Sequence, residues 1–219
     1  MLDSNLTEDE RLVLKENFIE TLNEALGAFR DLLNIQYNIV IAKKGVEHLI
    51  NLVFLERNFI HLAGIDKLVD IALVKETPNL YKKLITNNSE SEKVKSDLTS
   101  SNYFDEIVSR LYCLIELQQN FYNAKDNRHY KFLSKQYGNY TSIKFDYLIR
   151  SEYCSNVYYY FLRHDEKSEN PNQFVVVSLF IENKKDYTNG QTYMYLLSKE
   201  EINKTTGEKF VIFKKTNNY

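Results

Sequence analysis

Tryptophan is absent, proline occurs twice and glycine only six times in 219 residues. So few glycines leave little material for a phosphate-cradling loop, and neither GxGxxG nor GxxxxGK[ST] occurs. A GxSxG elbow, an HExxH pair and EF-hand spacing are missing as well. These absences set aside most nucleotide-dependent, hydrolase and metalloprotease chemistries. No apolar run approaches the ~20 residues that cross a bilayer. The opening Met1-Leu2-Asp3-Ser4-Asn5 is acidic and polar, the opposite of a secretory leader. The chain therefore reads as cytoplasmic, with no membrane partner.

Cysteine is scarce too. Cys113 and Cys154 stand far apart with no CxxC spacing, so no structural metal is expected, and both read as small buried hydrophobes. Net charge is only −2, which argues against a strong nonspecific grip on nucleic acid. The charge is uneven, however. Residues 1–31 are acidic, whereas Lys125 to Lys167 is richer in Lys, Arg and His.

What is present is an ordinary globular composition, 43% hydrophobic and 26% charged, with seventeen tyrosines. Residues 7–33 carry a helical apolar period from Leu12 to Leu33, with Thr7 and Glu10 at capping-box spacing. Tyr37–Ile41 and Leu49–Leu55 are strand-like around a Lys43-Lys44-Gly45 turn. A helix is expected from Phe59 to about Lys75, a short one over Asn79–Ile85, an exposed linker over Thr86–Ser96, and one long helix over Phe104–Asn123. The loop around His129 precedes β-rich runs at Ile143–Arg150, Asn156–Arg163, Gln173–Ile181, Thr192–Leu197 and Lys209–Phe213. Turns are marked by Asn170-Pro171-Asn172, Tyr187–Gly190 and Thr206-Gly207. Helices first and strands afterwards give an α+β chain, with helices packed on an antiparallel sheet. The division expected is a helix over 1–33 and one α+β domain over 34–219.

The segment Asn58-Phe59-Ile60-His61-Leu62-Ala63-Gly64-Ile65 places a histidine inside an apolar helical stretch just after a hairpin. Histidine titrates near neutrality and suits proton transfer, although a lone histidine on an apolar face can equally fill space. Gly64 reads as a close-packing position between helix and sheet. Arg150 ends a strand whose alternation groups Lys144, Asp146, Leu148 and Arg150 on one face.

Taken with Ile143–Arg150, Val175–Phe180 and Asp186-Tyr187 before Gly190-Gln191, the His61 segment resembles the phage-associated Barnase–EndoU–colicin E/D–RelE-like nucleases. The likeness spans roughly residues 34–215, leaving the first helix as an extension. It implies a compact RNase-toxin-like core, RNA as substrate, no cofactor or metal, and a toxin or conflict-effector role with an antitoxin or other protein as partner. Carried over by position, it implies His61, Ser178 and Tyr187 as catalytic residues; with them Arg150, at its strand end, is read as a catalytic phosphate clamp, and Lys144, Tyr147 and Arg163 as substrate contacts. His48, His129 and His164 are weaker candidates. Metal-free RNA cleavage needs a base for the 2′-hydroxyl, an acid for the 5′-oxygen and cations for the phosphate. No second histidine is placed beside His61 by the sequence. Two functions therefore stay open, an endoribonuclease and an inactive protein-binding member of the same fold.

Overall fold

The computed structural model describes residues 8–72, 77–86, 88–123, 126–133, 141–182 and 185–216. It divides into two compact units, Met1–Arg30 with Glu56–Ile115, and Asp31–Leu55 with Glu116–Tyr219.

The first unit is helical. It contains α1 (Glu8–Leu32, continuing just past the unit), α2 (Phe59–Leu62), α3 (Thr77–Ile85), α4 (Ser89–Leu98) and α5 (Phe104–Ile115). Its core is aromatic: Phe18 meets Phe104 edge-on at 5.3 Å, and Phe29, Phe59 and Tyr81 form a cluster with centroids 5.2–6.0 Å apart. The inward stripe of α1 holds Phe18, Leu22, Leu26 and Phe29, while Leu12 and Leu14 are exposed. Thr7 and the side chain of Glu10 lie outside the described residues.

Two expectations change here. The helix read over Phe59–Lys75 stops after a single turn, because Gly64 adopts the left-handed φ of 77°. The stretch read as a linker, Thr86–Ser96, holds most of α4, which is capped by the Asn88 side chain accepting from the Ser91 amide at 2.9 Å.

The second unit corrects the fold class. It is a closed, mixed barrel, not an open antiparallel sheet with helices packed on it. Its strands are β1 (Ile35–Lys43), β2 (Val46–Val53), β3 (Arg128–Lys131), β4 (Tyr147–Tyr153), β5 (Asn156–His164), β6 (Gln173–Ile181), β7 (Thr192–Asn203) and β8 (Lys209–Lys214). Seven of them run β1-β2-β6-β5-β4-β3-β7 and close where β7 pairs with β1; β8 adds to β7 outside the ring. The pairs are antiparallel except β2–β6, which is parallel and holds only Asn51–Val53 against Gln173–Val175. Closure rests on the length of β7, whose start pairs with β3 and whose remainder pairs with β1. Its second half carries Ser198-Lys199-Glu200-Glu201, a polar run that hides a strand.

The turn between β1 and β2 uses positive φ at Lys44 and Gly45, as expected for a tight hairpin. The β4–β5 turn uses the same region at Cys154 and Ser155. That leaves Cys154 exposed, against expectation, while Cys113 is buried.

The helix read over Phe104–Asn123 breaks at Glu116, and its second part, α6 (Leu117–Tyr122), belongs to the strand unit. The ring of Phe121 packs 4.9 Å from Tyr37 and 5.3 Å from Tyr160. Among the described residues no helix is long and apolar enough to cross a membrane.

Candidate functional site

A single-turn helix presents His61. Three of the four α2 residues, Phe59, Ile60 and Leu62, are buried, so the turn is anchored while the fourth, His61, points out with 58% of its side chain exposed. The Gly64 amide donates to the His61 carbonyl at 3.1 Å, and the left-handed glycine reverses the chain into a 3-10 turn over Ile65–Lys67. That reversal brings Asp66 back to His61, with Oδ2 2.7 Å from Nδ1. An ionised carboxylate can only accept, so Nδ1 carries the proton in this contact, and in the neutral ring Nε2 is the nitrogen with the lone pair. The arrangement is a histidine oriented by an acid, as in hydrolytic triads.

Cations surround this pair. Gly64 lies so close to α5 that a Cβ there would meet Arg110 Cδ at 2.7 Å and Ile107 Cγ2 at 3.1 Å. The glycine therefore packs against a helix, not a sheet as expected. Burial lowers the Arg110 pKa, while the negative charge of Asp66 pulls it back up. Burial also lowers Lys67, helped by the nearby Arg110 charge and opposed by Asp66 and Glu106. His61, Asp66, Lys67 and Arg110 thus form one electrostatic group within the helical unit.

The other expected site residues belong to the strand unit. Arg150, only 16% exposed, is ion-paired to Glu152 and lies 4.0 Å from Glu182. Its cross-strand partner Tyr159 donates to Asp186 Oδ1 at 3.1 Å, and that oxygen also accepts from the Thr188 amide and hydroxyl at 2.8 and 2.6 Å. Tyr187 packs edge-on against Tyr159, Phe161 and Phe180 at 5.1–5.4 Å. Arg150 and Tyr187 therefore share Tyr159 as a neighbour. Ser178 is 4% exposed and stands opposite Phe161. Lys144 is exposed and precedes β4, and Arg163 is exposed on β5. Tyr147 turns to the other face of β4, where its hydroxyl meets His48 Nδ1 at 3.1 Å.

Sequence reasoning missed the partners of His61. Asp66 lies five residues on, a spacing that no regular helix brings together, and only the glycine between them signals the reversal. It also missed a polar barrel interior. The segment read as a loop around His129 is β3, and His129 is 2% exposed opposite Ile149 and Met194. Lys199 is fully buried with Nζ 4.3 Å from the Phe121 ring centroid. Burial, and then the Lys199 charge, hold the His129 pKa down at about 3; burial alone lowers Lys199 to about 7. Beside them Ser151 donates to Asn120 Oδ1 at 3.0 Å, and Asn127 donates to the Asn120 carbonyl at 3.0 Å. Among the described residues no three His, Cys, Asp or Glu side chains are grouped as metal ligands.

The family whose model matches residues 21–216 is described as phage-Barnase-EndoU-ColicinE5/D-RelE like nuclease4. No curated protein and no solved structure matches the chain.

Proposed function

The chain belongs to the phage Barnase–EndoU–colicin E5/D–RelE-like nuclease family, and from that premise we propose that it is a metal-independent endoribonuclease whose acid–base residue is His61. The observation that carries this reading is the exposed imidazole held at Nδ1 by Asp66, 2.7 Å away. Nε2 takes the proton of a ribose 2′-hydroxyl. The freed oxygen attacks the adjacent phosphorus, the bond to the 5′-oxygen breaks, and a 2′,3′-cyclic phosphate forms. Asp66 stabilises the imidazolium as it develops.

Arg110 supplies the fixed cation against the phosphate, where a planar guanidinium can donate twice. Lys67 protonates the departing oxygen; its lowered pKa makes it a better acid than an ordinary lysine. Lys144 and Arg163, both exposed cations, are proposed as contacts to the RNA backbone. The surroundings of Arg150, Ser178 and Tyr187 favour supporting roles. Arg150 is already paired with Glu152 and lies near Glu182, Ser178 is covered, and Tyr187 is packed among three rings. In biological terms the activity suits a toxin or conflict effector, kept in check by a protein antitoxin.

The test is cleavage of an end-labelled oligoribonucleotide in excess EDTA, with the product termini identified. Cleavage that persists, leaves 2′,3′-cyclic phosphate and stops when a 2′-deoxy residue replaces the ribose at the cut supports the proposal. Loss of activity in EDTA, or cutting that ignores the 2′-deoxy substitution, overturns it. No cleavage of any RNA favours the inactive, protein-binding reading.

A further inference from the structure

The barrel closes without its last strand. β7 pairs with β1 to complete the ring, β8 adds to β7 outside it, and among the described residues no strand pairs with the other edge of β8. The Asn203 amide donates to the Glu208 carbonyl at 2.9 Å, so Glu208 bonds toward β7. Antiparallel alternation then turns the amides and carbonyls of Lys209 and Val211 outward, away from β7. Two backbone donors and two acceptors thus stand in a row on an open edge.

The side chains on that edge are apolar. Phe210 and Val211 are adjacent, leave opposite faces of the strand, and are each more than half exposed. The Phe210 ring meets Tyr122 at 5.8 Å, yet most of the residue still faces solvent. Barrel closure does not require a six-residue strand with apolar groups on both faces and one side open. Such an edge is a template for a further strand.

Charge selects what that strand can be. Between residues 204 and 215 the chain carries Lys204, Lys209, Lys214 and Lys215, all exposed, against Glu208 alone. Glu208 accepts from the Thr206 hydroxyl at 3.0 Å, and Glu201, opposite Phe210, accepts from the Tyr122 hydroxyl at 2.8 Å. Glu200 lies on β7, one strand in from the open edge. A second copy would bring the same excess of lysines against these. The bulge that gives β8 an extra residue between Val211 and Phe213 discourages copy-to-copy pairing further. A polynucleotide would answer the lysines but not a backbone edge spaced for a peptide. An extended acidic peptide answers both.

We infer that the open edge of β8 is a docking site for a protein partner, which adds an extended segment of apolar residues flanked by Asp or Glu. Backbone bonds from Lys209 and Val211 hold the segment, Phe210 and Val211 seat its apolar side chains, and the lysines pair with its acids. The site lies wholly in the strand unit and does not depend on the catalytic role of His61.

The experiment titrates the full chain with a labelled, soluble peptide of alternating valine and glutamate, reading binding by fluorescence anisotropy and amide hydrogen exchange by NMR. Saturable binding with new protection at the Lys209 and Val211 amides supports the site. Both lysines of β8 are exposed and the strand lies outside the ring, so the double variant Lys209→Glu with Lys214→Glu should fold normally. It should bind this peptide several-fold more weakly and prefer a valine–lysine peptide. Absence of binding, equal binding of the two peptides by wild type, or protection confined to other amides overturns the inference. So does protection of the same two amides on raising the concentration of the chain alone, which marks a second copy. Protection of them by a 2′-deoxy oligonucleotide marks nucleic acid and overturns it equally. Peptide binding needs no RNA cleavage, so this proposal and the nuclease proposal fail independently.

Discussion

A fully buried lysine sets a sharp physical condition. Desolvation favours the neutral amine of Lys199, while the face of Phe121 at 4.3 Å favours the ammonium. With the pKa at about 7 against an ordinary 10.5, the unfolded chain binds a proton that the folded chain lacks between those values. Stability must therefore rise with pH across that window. His129 adds a term of the same sign lower down. Held at about 3 against an ordinary 6.5, it makes stability fall as pH drops from 6.5 toward 3. Denaturant unfolding across the alkaline window should show the rise in wild type, and Lys199→Met should flatten it while raising stability at neutral pH. A wild-type profile that is flat above neutrality would mean that Lys199 is not desolvated as described.

At the level of elements, the His61 turn depends on Gly64. An alanine there must take a left-handed φ and press on Arg110, so Gly64→Ala should lower unfolding stability by about 1–3 kcal/mol. It should also slow any His61-dependent reaction, since the same turn returns Asp66 to the imidazole. Urea titration of the purified variant measures the first effect, and a variant as stable as wild type would show that the turn tolerates a side chain.

The same scale explains what could be read from sequence. The β1–β2 hairpin was legible because Lys44-Gly45 supplies turn chemistry between alternating apolar strands. His61 stood out as the one polar residue in an apolar turn. Asp66 did not, because its place depends on one glycine φ. β3 was obscured by its four residues, of which Arg128, His129 and Lys131 look solvent-seeking although His129 points inward. The break at Glu116 leaves no Gly or Pro behind, so α5 and α6 read as one helix.

Over the whole chain, seven of the eight described strands were readable and the barrel was not. Alternation marks where strands lie but not which edges meet, and closure here runs through the polar half of β7 against β1. Function divides along similar lines. Family membership indicates a nuclease, whereas RNA as substrate, freedom from metal and the acting residues are what we propose. The decisive quantity is the single-turnover rate of His61→Ala on an oligoribonucleotide, compared with wild type under conditions where both are shown to be folded. If that imidazole moves the proton, the variant should be slower by ~10²–10⁴. A folded variant that cuts at the wild-type rate would remove His61 from the chemistry and, with it, the proposed site.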